Sequence, residues 1–114
     1  MKHRHVRIVL PWVEAVFGDR RCQLLDLSVT GGLILLDVAP TVDSTSTLKL
    51  EAGHQTLRLE ARVVRVVPAL VTRNPGTTPR QWKAGLRFLD GSPGAQQTIA
   101  KVCSQLLAAG RQRS

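Results

Sequence analysis

Aromatic residues and long hydrophobic runs are scarce in this chain of 114 residues. It has two Trp, two Phe and no Tyr, whereas barrels that bind nucleic acids usually expose aromatic rings on which bases stack. No apolar run approaches the roughly 20 residues that a membrane-spanning helix needs. The apolar stretch after the basic N-terminus is broken, which does not match a signal peptide. The sequence therefore argues against a nucleic-acid partner and against membrane insertion, and it predicts a cytoplasmic location.

Residues that carry metal-binding or catalytic chemistry are also few. Cys22 and Cys103 lie far apart, without the paired Cys and His spacing of a zinc site. We therefore expect two reduced, buried thiols and no metal. The three histidines and eight carboxylates form no recognisable catalytic motif or acid–base pair. The sequence thus predicts a protein that is not an enzyme.

The charge balance is the first positive signal. Sixteen Lys and Arg residues against eight Asp and Glu residues give a formal net charge of +8, and the isoelectric point is near 11.1. Such a surface favours an anionic partner. Twelve of the sixteen basic residues are Arg, whose guanidinium suits bidentate phosphate binding. The basic residues are scattered, however, so solvated outward faces of strands explain them as well as a ligand does.

Alternating apolar residues predict six β-strands in the first part of the chain. Pro11 lies inside the first strand, so an edge position or a bulge is expected there. The fifth strand contains arginines that also fit helical spacing, but its four β-branched valines favour a strand. The predicted strands are residues 6–17, 21–27, 33–36, 47–52, 55–67 and 82–88, with turns at 18–19, 28–32 and 53–54 and loops at 39–46 and 68–79.

A single helix is predicted at the end of the chain, over residues 93–109. Ser92 can cap it, Pro93 fits its first turn, and Gly110 is expected to end it. Its apolar positions recur at helical spacing, so this face must pack on another element. Six strands and one helix predict a mostly β protein, a small antiparallel barrel with a C-terminal helix. We expect one domain over residues 1–114, with a flexible basic arm at 1–7, the barrel at 8–89 and the helix.

Two short stretches are candidates for a binding site. The first is the basic segment His3-Arg4-His5-Val6-Arg7 ahead of the first strand. The second is Asp26-Leu27-Ser28-Val29-Thr30-Gly31 at a turn between strands. The second also has a purely structural explanation, because Asp26 and Ser28 can bond to their own backbone and Gly31 allows a positive φ. Trp82 is a weaker candidate, since it alternates with core residues of the last strand.

Together the two stretches resemble the PilZ family, bacterial receptors for cyclic di-GMP. The family pattern is an RxxxR pair, about twenty residues of strand, and then [D/N]xSxxG. Asp26, Ser28 and Gly31 match the second part in full, Gly32 continues in the family's style, and Ala84-Gly85-Leu86-Arg87-Phe88 resembles the family's late strand. If Arg7 is the second arginine, the first position is occupied by His3, with Arg4 one residue away. The resemblance implies a six-stranded antiparallel barrel with a C-terminal helix.

The resemblance also implies a ligand and a set of residues that bind it. Arginines of the arm would bind the phosphates of cyclic di-GMP and stack on guanine. Asp26 would accept hydrogen bonds from guanine N1–H and N2–H. Ser28 would add a hydroxyl contact, and Gly31 would let the ligand reach the backbone. The predicted site is therefore His3, Arg4, Arg7, Asp26, Ser28, Gly31 and Gly32.

Three functional hypotheses follow from this sequence. The first is a non-catalytic cyclic di-GMP receptor that passes the signal to a partner protein, since one domain of this size carries no effector of its own. The second is a degenerate PilZ domain that binds only protein, which His3 favours and the intact Asp26, Ser28 and Gly31 oppose. The third is a basic barrel that binds nucleic acid. The oligomeric state is left open, a homodimer included.

Overall fold

Six strands and one helix make up the part of the chain that the computed structural model describes, residues 8–69 and 81–112. The strands are β1 (Ile8–Phe17), β2 (Arg20–Leu27), β3 (Gly31–Leu36), β4 (Thr45–Ala52), β5 (Gln55–Pro68) and β6 (Trp82–Phe88), and the helix is α1 (Pro93–Gln112). Most of the predicted loop at 68–79 lies outside the described residues.

The strands form a closed barrel in the order β1-β2-β3-β6-β5-β4. Every pairing is antiparallel, and β1 closes the barrel by pairing with β4. The predicted six-stranded antiparallel barrel with a C-terminal helix is therefore confirmed. The β1–β4 pairing covers three positions, so closure pairs part of the edge that an open sheet would expose.

The core fills the barrel because alternate side chains of each strand point inward. In β5 the buried residues Leu57, Leu59, Ala61 and Val63 alternate with exposed ones. This period of two confirms the strand that the valines predicted over the helix that the arginine spacing allowed. Arg58 and Arg62 lie on the outer face as a consequence.

Three register shifts interrupt the regular pairing of the described strands. The register between β1 and β2 shifts between Val9 and Val13, around Pro11, which confirms the bulge predicted there, because proline cannot donate a hydrogen bond to a ladder. A second shift separates Leu24 from Asp26 between β2 and β3. A third separates Val63 from Arg65 between β5 and β6. A bulge changes the face to which the following side chains point.

Two glycines make the tight turns that the sequence predicted. Gly18 has φ 66° and Gly53 has φ 63°, a left-handed conformation that favours glycine over other residues. By contrast, Gly31 and Gly32 were predicted to lie in a turn, and they instead form the first two residues of β3. Gly31 and Gly32 pair with Arg87 and Leu86 of β6. This pairing places them in a strand, although glycine locally favours a turn.

The helix begins as predicted and ends later. The Ser92 hydroxyl accepts a hydrogen bond from the Ala95 backbone N–H at 3.2 Å, an N-cap contact. The Asp90 carboxylate accepts from the Ser92 N–H at 2.9 Å, and this bond holds the pKa of Asp90 below its ordinary value. The prediction that Gly110 ends the helix is wrong, because α1 continues to Gln112.

One face of α1 is buried against the barrel. The helix contacts β1 and β4, the two strands that close the barrel. Its buried residues recur at the spacing of one helical face, and they are Ile99, Val102, Cys103 and Leu106. Within the described residues, α1 is not apolar enough to cross a membrane.

Candidate functional site

The Asp26–Gly31 segment joins the end of β2 to the start of β3. Asp26 is the second-last residue of β2, and Gly31 opens β3. The turn is closed by a backbone hydrogen bond from Ser28 N–H to the Gly31 carbonyl at 2.8 Å. The Phe88 N–H donates to the Thr30 carbonyl at 2.9 Å, so the end of β6 holds the turn from its other side.

The side chain of Ser28 lies inside this turn. Ser28 is 2% exposed, and its hydroxyl oxygen accepts from the backbone N–H groups of Thr30 and Gly31, each at 3.3 Å. The hydroxyl also lies 3.3 Å from the Gly31 carbonyl and 3.2 Å from the Thr30 hydroxyl. The predicted bonding of Ser28 to its own backbone is therefore observed. Its hydroxyl fixes the turn that follows Asp26.

Gly31 is required by close packing rather than by its φ. The glycines with positive φ within the described residues are Gly18 and Gly53, so Gly31 does not adopt the positive φ that a glycine allows. A Cβ on Gly31 would lie 2.1 Å from the carbonyl oxygen of Leu86. The backbone of β6 therefore occupies the space where any side chain at this position would begin.

Gly32 faces the barrel interior. It pairs with Leu27 on one side and Leu86 on the other, and a Cβ there would lie 3.1 Å from the Asp26 carbonyl oxygen and 3.5 Å from Leu24 Cδ1. The second glycine thus allows β2 and β3 to approach each other around the bulge that precedes Asp26.

Asp26 lies on the outer face of the barrel, in a row of residues that crosses four strands. Its Cα partner on β3 is Leu33, whose partner on β6 is Gly85, whose partner on β5 is Arg65. We call these four residues the Asp26 row. Asp26, Leu33 and Gly85 are half-buried and Arg65 is exposed. The sequence analysis identified Asp26 alone, since strand register is needed to align the other three with it.

The predicted arm residues His3, Arg4 and Arg7 lie outside the described residues. The strand that follows them is placed beside the turn, because Ile8 pairs with Leu27 and Val9 pairs with Asp26. The structure therefore brings the start of β1, Asp26, Ser28 and the two glycines to one region of the barrel.

Comparison with known proteins identifies the family. The model of the PilZ domain matches residues 4–105. The chain belongs to the PilZ family. No curated protein matches it significantly. Among solved structures, the PilZ domain with c-di-GMP of YcgR from Escherichia coli is similar at 20% sequence identity with a TM-score of 0.78, over 99% of this chain and 97% of that one.

Two longer proteins contain a similar domain. The structure of YcgR in complex with c-di-GMP from Escherichia coli matches at 18% identity and a TM-score of 0.71, over 98% of this chain and 49% of that chain. The Bacillus subtilis inhibitor of motility MotI/DgrA matches at 15% identity and a TM-score of 0.67, over 96% of this chain and 52% of that chain. This PilZ domain therefore spans about half the length of each, and the likeness establishes the fold.

Trp82 of this PilZ domain lies away from the Asp26–Gly31 turn. It is half-buried at the start of β6 and pairs with Leu36 and Pro68, whereas Gly31 pairs with Arg87 near the other end of β6. Five residues of strand separate the two positions, which is about 17 Å at the usual rise. The structure thus does not bring Trp82 to the turn, and the interpretation of Trp82 as a member of the alternating strand fits better.

A groove of about 540 Å³ opens on the PilZ barrel away from the Asp26–Gly31 turn. Its walls come from β1, β2, β3 and β4, and include Glu14, Cys22, Leu36 and Lys49. Burial raises the pKa of the Cys22 thiol to about 11, so this thiol is protonated and unreactive at neutral pH. Within the described residues, no three His, Cys, Asp or Glu side chains are placed to hold a metal ion.

Both cysteines are free and buried, as predicted. We expect a maleimide to label Cys22 and Cys103 slowly in the native protein at about pH 8, because labelling requires a thiolate and burial raises both pKa values. Full labelling in urea, followed by mass spectrometry, is the control. Native labelling as fast as labelling in urea would contradict this burial.

The raised pKa of Cys22 also predicts that stability falls as the pH rises from 9.0 towards about 11, since unfolding then releases a proton.

Proposed function

We propose that this PilZ domain is a non-catalytic receptor for cyclic di-GMP that passes the signal to a partner protein. The observation that carries the proposal is the position of Asp26. Its carboxylate lies on the outer face, beside the start of β1 and directly before a turn that Ser28 holds by two backbone contacts. The similar PilZ domain of YcgR from Escherichia coli has been solved with c-di-GMP.

The chemistry of the ligand fits these residues. A cyclic dinucleotide presents two anionic phosphates and two guanines, and a carboxylate is a bidentate acceptor for guanine N1–H and N2–H. Arg7 directly precedes Ile8, and Ile8 pairs with Leu27 next to Asp26. We therefore assign guanine recognition to Asp26 and phosphate binding to Arg7 and Arg4, with a guanidinium also able to stack on the base. Ser28, Gly31 and Gly32 hold Asp26 in position.

We infer that the output passes through a protein surface rather than a reaction. The PilZ model matches residues 4–105, so these residues do not contain a separate effector domain. A ligand held between the arm and the barrel would change the surface that the start of β1 presents to a partner. The identity of that partner, and whether the receptor acts as a monomer or a homodimer, are separate questions from ligand binding.

Titration calorimetry with cyclic di-GMP at physiological salt tests this function. Arg7→Ala and Asp26→Ala should each weaken binding by roughly 10- to 150-fold, because each removes a charge-assisted contact. His3→Arg should strengthen binding, since it adds a fixed charge at the first arginine position of the family pattern. Arg20→Ala and Asp19→Ala are the matched controls, because they make the same changes at exposed positions, the first residue of β2 and the turn before it. Both should bind as the wild type does.

The second hypothesis, a degenerate domain that binds only protein, is favoured by His3. It would be supported by an absence of heat from both the wild type and His3→Arg. Binding that survives Arg7→Ala, falls steeply with added salt and is competed equally by duplex DNA would instead support nucleic-acid binding through counterion release.

A further inference from the structure

A cluster of exposed arginines borders the Asp26–Gly31 turn on β5 and β6. Arg87 pairs with Gly31, Arg62 pairs with Arg87, and Arg65 ends the Asp26 row. All three side chains are exposed. No local sequence pattern connects them with the turn, because they are 36 to 61 residues from Asp26 along the chain and become its neighbours only through the strand order of the barrel.

The pairing of Arg62 with Arg87 places two like charges directly opposite each other on the outer face. Such cross-strand pairs are destabilising, and a bound anion relieves the repulsion. Glu60 is on the same face of β5, where its carboxylate accepts a hydrogen bond from the Thr47 hydroxyl of β4. The carboxylate of Glu60 is thus engaged with β4.

The bulge in β5 directs Arg65 outward. Val63 faces the core, so in a regular strand Val64 would point out and Arg65 would point in. The register instead moves from Val63↔Leu86 to Arg65↔Gly85, and the extra residue Val64 leaves Arg65 exposed in the Asp26 row. Bulges are frequent beside binding sites because they redirect a side chain in this way.

Gly85 contributes no side chain to the Asp26 row, so the outer surface is low between Leu33 and Arg65. A Cβ on Gly85 would meet Val64 Cγ2 at 3.7 Å and Arg65 Cβ at 3.8 Å, which are ordinary van der Waals contacts. Packing within the barrel therefore does not require glycine here, in contrast to Gly31. The half-buried Leu33 lies beside it, so Leu33 and Gly85 form a low, apolar floor between a carboxylate and a guanidinium.

The dimensions of this floor suit a ligand that has a base at one end and a phosphate further along. Three steps between neighbouring strands separate the Cα atoms of Asp26 and Arg65, a span of about 14 Å. With His3 at the first arginine position of the family pattern, Arg65 would add a fixed cation to the Arg4 and Arg7 already assigned to the phosphates.

We propose that Arg65 binds a phosphate of the cyclic dinucleotide whose guanine donates hydrogen bonds to Asp26. In this arrangement the ligand lies on the floor at Gly85. This inference rests on the proposed function and adds residues of β5 and β6 to the binding site. The ligand then spans the outer face from Asp26 on β2 to Arg65 on β5.

Calorimetry with cyclic di-GMP on matched variants tests the inference. Arg65→Ala should weaken binding about tenfold or more, because it removes a charge-assisted contact to phosphate. Arg58→Ala is the control, since Arg58 is also exposed on the outer face of β5 but pairs with Lys49 on the β4 side, and it should bind within about twofold of the wild type. Gly85→Val should keep the wild-type melting temperature and weaken binding, because its side chain would stand on the floor.

The outcomes separate this inference from the proposed function. Binding by the wild type that is lost in Asp26→Ala but unchanged in Arg65→Ala and Gly85→Val would overturn the inference and leave the function intact. Equal losses in Arg65→Ala and Arg58→Ala would also overturn it, because they would reflect net charge alone. An absence of wild-type binding would overturn the proposed function itself.

Discussion

Replacing Gly31 with Ala is expected to lower the free energy of unfolding by more than about 3 kcal/mol, even without ligand. The added Cβ would lie 2.1 Å from the Leu86 carbonyl oxygen, far inside van der Waals contact. The atom that must move belongs to the backbone of β6, and Leu86 is paired with Gly32 on one side and Val63 on the other. Relief therefore requires a shift of β6 against both neighbouring strands. Urea denaturation followed by circular dichroism measures the loss.

Three other glycines provide a graded control for Gly31→Ala. Gly32→Ala should be destabilising to a smaller degree, because its Cβ would be 3.1 Å from the Asp26 carbonyl oxygen. Gly85→Ala makes ordinary contacts, and at Gly91 a Cβ would meet nothing within 4 Å, so both should stay within about 0.5 kcal/mol of the wild type. A Gly31→Ala protein as stable as Gly91→Ala would contradict the close approach of β3 to β6.

Much of the fold could be predicted from the sequence because its signals are local. The alternation around Leu57, Leu59, Ala61 and Val63 identifies the longest strand without any knowledge of its partners. The cap at Ser92 likewise depends on residues within one turn of the helix. One prediction that failed depends on tertiary contacts, because β3 begins at Gly31 where β6 pairs with it. The other failed at Gly110, which α1 passes.

The candidate site was only partly predictable, for the same physical reason. The turn at Ser28 follows from side-chain bonding to the adjacent backbone, so the sequence indicates it directly. The reason for glycine at position 31 is a contact with Leu86, which lies more than fifty residues away along the chain. The relation of Arg65 to Asp26 depends on three strand pairings and one bulge. No local pattern encodes a register of that kind.

The packing of α1 leads to the second large expected effect. The seam between β1 and β4 has three paired positions, whereas β4 and β5 share eight. The helix contacts both strands of this short seam, and Ile99 is 0% exposed. The helix therefore packs on the two strands that share the fewest paired positions. We expect its apolar contacts to stabilise the seam where hydrogen bonding between strands is least extensive.

Ile99→Ala is expected to lower the free energy of unfolding by about 2–5 kcal/mol, since it leaves a cavity where the helix meets the barrel. Thermal denaturation should show a fall of about 10 °C or more, and Gln105→Ala, at an exposed position of the same helix, should melt as the wild type does. Amide hydrogen exchange should increase first in β1 and β4, because these strands lose the contact that holds the seam. An unchanged melting temperature for Ile99→Ala would mean that α1 is not part of the core. Faster exchange that begins in β5 and β6 would mean that the helix supports the barrel as a whole rather than its seam.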